Sequence, residues 1–323
     1  MTNSQHVKVT SQHVLENMTA TDKTTRMFIW LTLAIVTTSQ QITYRDEVVA
    51  FRLTAATYDT TIVDGIINRT DCIDSVFKKA IFHRYEIACA NQSATCAAIV
   101  GVDATSKTVF ITFRGTEGSE QLDQEIDDAW LLTPIVPGSQ LMAGKYFVDA
   151  VDDLWKNSSL PYRIRATINI YVIQQKFSLL VAGYSLGASL AAVTVVRLNM
   201  ENTINEAIPV KFITFGMPRT GNSEFIKALE NQTSPRLRVV HFKDCVAPLI
   251  ADVFGFETHY GPVKYYETND MRHNAKATFC ANGEDKSCSS THGTECGYHT
   301  TYYNVIDVEG YGREKCQGCY PVL

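Results

Sequence analysis

The sequence has no basic stripe, no internal repeat, no long low-complexity segment and no apolar run long enough to span a bilayer comfortably as a helix. Each absence removes a class of function. Without clustered Lys and Arg there is no electrostatic footprint for nucleic acid: charged residues make up 20% of the chain, both signs are scattered, and the formal net charge is −5. That mild acidity speaks to solubility rather than to a partner, and no stable protein partner is inferred. The only CxxC pair is Cys316 and Cys319, and a four-ligand zinc site needs a second pair at suitable spacing. No metal and no other cofactor are expected. The 323 residues, 45% of them hydrophobic, are enough to bury one large core or two ordinary ones.

What is present points to an oxidising compartment. Residues 1–26 are polar, and an apolar run from Met27 to Val36 follows Lys23 and Arg26 and ends in Thr37-Thr38-Ser39. That order reads as a signal peptide, which makes residues 1–39 an N-terminal extension and 40–323 a single folded domain. The polar stretch is long for a secretory leader, so Met27 as the start, a signal anchor, and a buried core segment are the alternatives. Nine cysteines suit the same compartment, and N-x-S/T sequons begin at Asn68, Asn91, Asn157 and Asn231. The odd cysteine count leaves one thiol unpaired or paired between chains. Cys89 and Cys96 are close enough to close a local loop, and Cys245 is the expected unpaired one.

The hydrophobic spacing predicts helices over Ala50–Tyr58 and Ile73–Ile81, then a hairpin of Ala97–Val100 and Val109–Phe113. Helical spacing returns over Leu141–Trp155 and Tyr162–Ile173. An alternation follows: strand Phe177–Ala182, helix Leu186–Met200, strand Val210–Phe215, helix Ser223–Leu229, strand Leu237–Phe242. Such alternation implies βαβ units, a mainly parallel central sheet and helices on both faces, the α/β class. From Ala251 onward the chain reads as loop-rich.

The chemistry centres on Gly183-Tyr184-Ser185-Leu186-Gly187, a G-x-S-x-G pattern. The pattern alone is weak; its context is not. An apolar strand runs in and a helix of small and apolar residues runs out, which is the setting of a nucleophile elbow. A Cβ at Gly183 or Gly187 would collide with neighbouring elements. The plain alternative is a tight turn with an inert serine. A serine hydroxyl needs a histidine to take its proton and a carboxylate to orient that histidine, in α/β-hydrolases in the chain order Ser, acid, His. Asp244 follows the strand Leu237–Phe242 and is the candidate acid, with Asp252 and Asp270 as rivals. The later histidines are His259, His273, His292 and His299. Acyl transfer also needs backbone N–H groups for an oxyanion. Leu186 supplies one candidate, and the turn Arg114-Gly115-Thr116 after Val109–Phe113 the other.

Four pieces in order, Phe113-Arg-Gly-Thr116, Gly183-Tyr-Ser-Leu-Gly187, Phe215-Gly-Met-Pro-Arg-Thr-Gly-Asn222 and Asp244 after a strand, resemble the class 3 lipases, including the fungal triacylglycerol lipases. The resemblance spans about Phe51 to Tyr303. It implies an α/β-hydrolase fold, a Ser185–His299–Asp244 triad, an oxyanion hole at Thr116 and Leu186, and a lid over Glu117–Trp130. It also assigns His259 to a structural position and implies an early–late disulfide from Cys72. His273 and His292 read as solvated. Three departures stand out: Tyr184 where the family usually has His, Ala188 where it usually has Gly, and Tyr298 where it usually has Asp. The lid segment carries Glu117, Glu120, Asp123, Glu125, Asp127 and Asp128, too acidic for a cover resting on oil.

The resulting expectation is a secreted carboxylic ester hydrolase cleaving acylglycerols or related lipid esters, at a lipid–water interface or in solution. A catalytically inactive lipid- or protein-binding relative and a thioesterase or acyltransferase using the same residues are the alternatives.

Overall fold

The computed structural model describes residues 41–62, 70–89, 94–117, 131–249, 255–256, 260–288 and 296–317. The leader with its apolar run at 27–36 lies outside the described residues. The elements below all belong to one unit, Ile42–Leu323.

The first helix, α1 (Tyr44–Ala55), continues into a 3₁₀ turn at Ala56–Tyr58. Thr43 starts it with a reciprocal cap: its hydroxyl accepts from the Asp46 N–H at 3.2 Å, and the Asp46 carboxylate accepts from the Thr43 N–H at 2.9 Å. Such a cap is worth about 1 kcal/mol. The helix expected over Ile73–Ile81 is a correction. One turn, α2 (Asp71–Asp74), covers its start, and from Ala80 the chain is strand. A short apolar run fits either periodicity. Here the decision lies with the partner, because β1 (Ala80–Cys89) pairs along all ten residues with β2 (Ala94–Asp103). The hairpin of β2 and β3 (Thr108–Phe113) forms as expected.

Two short strands follow, β4 (Leu132–Pro134) and β5 (Met142–Gly144), paired antiparallel. They take the first residues of the helix expected over Leu141–Trp155, so that α3 runs Lys145–Asn157. Next come α4 (Leu160–Thr167), prolonged as a π-helix through Gln174, then β6 (Ser178–Tyr184), α5 (Leu186–Met200), β7 (Val210–Phe215), α6 (Ser223–Gln232) and β8 (Thr233–His241). The region from Ala251 is not all loop: β9 (Val263–Tyr266) and β10 (Ala277–Cys280) extend the sheet, and α7 (Val308–Arg313) closes the described chain.

The eight-stranded sheet has the order β1-β2-β3-β6-β7-β8-β9-β10. Its centre, β3-β6-β7-β8-β9, is parallel, and both flanks are antiparallel. Side chains alternate between two cores. Val109, Ile111, Leu179, Val181, Val210 and Phe212 face the core built by α3, α4, α5 and α6. Phe110, Leu180, Ala182, Ile213 and Phe215 face the core built by α1 and the C-terminal tyrosines. A strand covered on both faces reads as a continuous apolar run, as β6 does.

Four disulfides join described residues: Cys72–Cys316, Cys89–Cys96, Cys245–Cys296 and Cys280–Cys288. Cys245, expected to be unpaired, is therefore corrected. The loop after β8 and the turn carrying Cys296 meet above the same sheet edge, a closeness of residues 51 apart that spacing does not reveal. Cys319 lies outside the described residues.

Candidate active site

Parallel strands all release their loops at one edge, and that edge collects the residues singled out above. β6 ends at Tyr184 and α5 begins at Leu186, so Ser185 makes the entire turn. It has φ 56° and ψ −129°, a conformation that side chains other than glycine rarely adopt and that costs about 1–3 kcal/mol. The turn is tight because the helix lies against the strand. A Cβ on Gly183 would stand 2.2 Å from the Gly187 carbonyl oxygen, and one on Gly187 would stand 2.3 Å from the Phe113 carbonyl oxygen. Ser185 N–H donates to the Phe215 carbonyl at 2.9 Å, which ties the turn to β7.

The loop after β8 turns sharply, with Phe242 at φ 41°, and presents Asp244. The described loop after Cys296 presents His299. Their side chains and Ser185 form a series. Ser185 Oγ lies 2.7 Å from His299 Nε2, and His299 Nδ1 lies 2.9 Å from Asp244 Oδ1. Since Asp244 can only accept, Nδ1 carries the ring proton and Nε2 is left to accept from the serine hydroxyl. Asp244 is fully buried. Its carboxylate also accepts from the Val246 and Ala247 N–H groups on Oδ1 at 2.8 and 3.4 Å and from the Tyr302 hydroxyl on Oδ2 at 2.6 Å. Burial alone would raise its pKa. The neighbouring His299 and these hydrogen bonds outweigh that and hold the carboxyl below the ordinary aspartate value. The Tyr302 phenol shows the reverse, pushed well up by burial and by the Asp244 charge, so it stays a donor.

The histidine is held on several sides. The Tyr184 hydroxyl donates to the His299 carbonyl at 2.6 Å, and the two rings stack with centroids 5.0 Å apart and planes 20° apart. The Cys245–Cys296 bridge ties the histidine's loop to the residue beside Asp244. The buried His241 ring meets the Tyr298 carbonyl through Nδ1 at 3.0 Å. Burial lowers the His241 pKa, so the ring is neutral and Nδ1–H is the donor. Gly216, at φ 56°, completes the packing. A Cβ there would lie 2.7 Å from Asp244 Oδ2 and 2.9 Å from His299 Cε1.

Leu186 is the first residue of α5, where a helix N–H has no partner within the helix. Thr116 lies two residues beyond Arg114 on the turn after β3. That turn is pressed against the serine's own strand, since a Cβ on Gly115 would sit 2.9 Å from the Tyr184 carbonyl oxygen. Arg114 anchors it from a buried position, bridging Glu86 at 2.7 Å and Glu117 at 2.6 Å and donating to the Thr95 carbonyl. Of the lid expected over Glu117–Trp130, only Glu117 is described.

The rivals fall elsewhere. Asp270 is paired with Arg272 at 2.8 Å, and that hydrogen bonding brings its pKa to about 2. His273 is exposed, edge-on to Tyr44. Asp252, His259 and His292 lie outside the described residues, as do the sequons' Asn68 and Asn91, whereas Asn157 and Asn231 are exposed. Reading the sequence did not single out Tyr302, Gly216 or His241. Tyr302 had a visible signal, a Tyr-Tyr pair shortly after His299; both phenols are buried, and the sequence does not say that Tyr302 reaches Asp244 whereas Tyr303 reaches Glu47.

The family model for Lipase (class 3) matches residues 110–254, the stretch from β3 to beyond Asp244. A curated Caenorhabditis elegans protein, Lipase ZK262.3, is 27% identical over 205 residues, covering 61% of this chain and 52% of that one. The secreted mono- and diacylglycerol lipase 1 of Fusarium solani is 27% identical over 165 residues, covering 51% and 46%. The chain thus spans about half the length of these curated relatives. Among solved structures, lipase II from Rhizopus niveus aligns with a TM-score of 0.68 at 18% identity, over 82% of this chain and 96% of that one. The Rhizomucor miehei triacylglyceride lipase aligns with a TM-score of 0.65 at 22% identity, over 81% and 94%. The chain has the α/β-hydrolase fold of these fungal lipases, and its sequence from β3 to the loop after β8 matches the family model of the class 3 lipases.

Proposed function

We propose that the protein is a secreted carboxylic ester hydrolase that cleaves acylglycerols or related lipid esters through an acyl-enzyme on Ser185. The observation that carries this is the unbroken series Ser185 Oγ, His299 Nε2, His299 Nδ1, Asp244 Oδ1, with contacts of 2.7 and 2.9 Å. His299 accepts the serine proton as Oγ attacks the acyl carbon, and Asp244 stabilises the imidazolium that forms. The N–H groups of Leu186 and Thr116 receive the developing oxyanion; losing one such donor costs about 3–4 kcal/mol of transition-state stabilisation. The imidazolium returns its proton to the departing alcohol. Water, deprotonated by His299, then attacks the acyl-enzyme, and the acid leaves with Ser185 restored. No metal or cofactor enters the cycle.

The four disulfides and the exposed sequon asparagines Asn157 and Asn231 support an extracellular setting, as does the name of the Fusarium relative. The acidic sequence of Glu117–Trp130 favours a soluble ester or a polar lipid over an oil droplet. A fluorophosphonate probe is expected to label the folded protein and to lose that label in Ser185→Ala. Tributyrin hydrolysis is expected to exceed hydrolysis of long-chain emulsions. Absence of labelling in folded wild type would leave a binding protein instead.

A further inference from the structure

Tyr184 stands where class 3 lipases usually carry histidine, and it touches the candidate base in two separate ways. Its hydroxyl donates to the His299 carbonyl at 2.6 Å. Its ring lies nearly parallel to the imidazole, 5.0 Å between centroids and 20° between planes. The phenol is almost fully buried and burial pushes its pKa well up, so the hydroxyl remains a neutral donor. Tyr302 packs edge-on against the Tyr184 ring, with centroids 5.7 Å apart, while its own hydroxyl holds Asp244.

We infer that Tyr184 is a positioning residue for the proposed reaction, whose ring face stabilises the His299 imidazolium while its hydroxyl sets the orientation of that histidine.

This role presupposes the proposed Ser185–His299–Asp244 chemistry and follows from the distribution of contacts around one ring. Nδ1 is occupied by Asp244, Nε2 by Ser185, and Gly216 lies beside Cε1. A face of the imidazole is then the place left for a further stabilising group, and the Tyr184 ring occupies one. An aromatic face attracts a cation placed over it within about 6 Å of the ring centre, more strongly when water is excluded. Before proton transfer the imidazole is neutral and the stack is ordinary packing. After transfer the charge sits over the phenol's electron-rich face. The interaction is therefore stronger in the charged state, which is the condition for lowering a barrier rather than merely tightening the ground state. The hydroxyl acts separately. By holding the His299 carbonyl it fixes the main chain from which the ring hangs, and with it the reach of Nε2 to Ser185.

The two contributions separate by substitution. Tyr184→Phe keeps the face and loses the tether; Tyr184→Leu loses both. The direct readout is an NMR titration of the His299 ring in each folded protein, which needs no turnover. The protonation midpoint is expected to move to lower pH by about half a unit in Tyr184→Leu and to stay at the wild-type position in Tyr184→Phe. In ester hydrolysis, kcat/KM is expected to fall about tenfold in Leu, through kcat with KM within about twofold, and about threefold in Phe. The acid limb of the pH–rate profile is expected to move down in Leu alone. Should the Leu protein not fold, Tyr184→Met replaces it as the non-aromatic variant. Equal midpoints in wild type, Phe and the non-aromatic variant would overturn the inference, whether or not esters are cleaved. An equal drop in Phe and Leu would also overturn it, assigning the effect to the hydroxyl alone. Loss of all ester hydrolysis in wild type, with no Ser185 labelling, would instead overturn the hydrolase reading.

Discussion

At Gly216 a single hydrogen in place of a methyl decides whether the candidate acid and base can meet. The residue has positive φ, and a Cβ would stand within 3.0 Å of both Asp244 and His299. Neither is the loose end of a flexible chain, because Asp244 is held by the Val246 N–H and the Tyr302 hydroxyl. Gly216→Ala is expected to cut kcat by at least about 100-fold, since a misplacement near 1 Å costs about that much. Thermal unfolding checked alongside should show a loss of only about 1–3 kcal/mol from the strained backbone. Wild-type kcat in the Ala protein would show that the pair has room to spare. Ser185 carries the complementary strain: its own backbone is held at φ 56° by a strand and a helix packed on either side, so the hydroxyl is presented before any substrate arrives.

Elements explain why residues so far apart in the chain share one edge. β6, β7 and β8 run parallel, and their exit loops carry Ser185, Gly216 and Asp244 in turn. His299 belongs to no strand of the sheet and needs other fastening. The Cys245–Cys296 bridge supplies it, joining the neighbour of Asp244 to the turn three residues before His299. By chain entropy, closing a 51-residue separation stabilises by about 4 kcal/mol. Replacing both cysteines with serine is expected to lower the melting temperature and to reduce kcat more than it changes KM, measured on tributyrin. Unchanged kcat would mean that Tyr184, His241 and the rest of the loop's contacts suffice. Strand β1 shows the limit of periodicity at this scale. Its ten residues include Arg84 and Glu86, which look like surface charges until β2, Arg114 and the 3₁₀ turn surround them.

Across the whole molecule, one ion network links distant parts. Glu86 of β1 takes Arg84 at 2.6 Å and Arg114 at 2.7 Å; Arg114 reaches Glu117, and Glu117 is held by Arg313 of α7. It anchors the turn that carries Thr116 from beneath and from the C-terminal side. Burial would raise the Glu86 pKa, but Arg84 and then Arg114 and Thr95 overcome that and bring it from 4.5 to about 2. A depressed carboxylate pKa stabilises the fold above the unfolded value, and that contribution is lost as pH falls through the folded value. The difference in melting temperature between wild type and Glu86→Gln is therefore expected to be full at pH 6 and to shrink between about pH 4.5 and 2. Because Glu86 is part-exposed, solvent discounts the size of the effect but not its direction. A difference constant over that range would remove Glu86 as the titrating group.

The sequence by itself determined the alternation of strand and helix from Phe177 to Phe242, and hence the parallel sheet, because strands covered on both faces and helices packed on them leave long apolar signatures. It also marked Gly183 and Gly187 as sterically required, since their need is set by a local turn. The motif resemblance already implied Ser185, Asp244 and His299 as partners; only the tertiary structure decided that β1 is a strand, that Cys245 meets Cys296, that Tyr302 holds Asp244 and Tyr184 the His299 main chain, and how closely His299 approaches Ser185. Those outcomes depend on which loops leave the same sheet edge, and no pattern within a short window of residues records that a neighbour in space is 51 or 114 positions away.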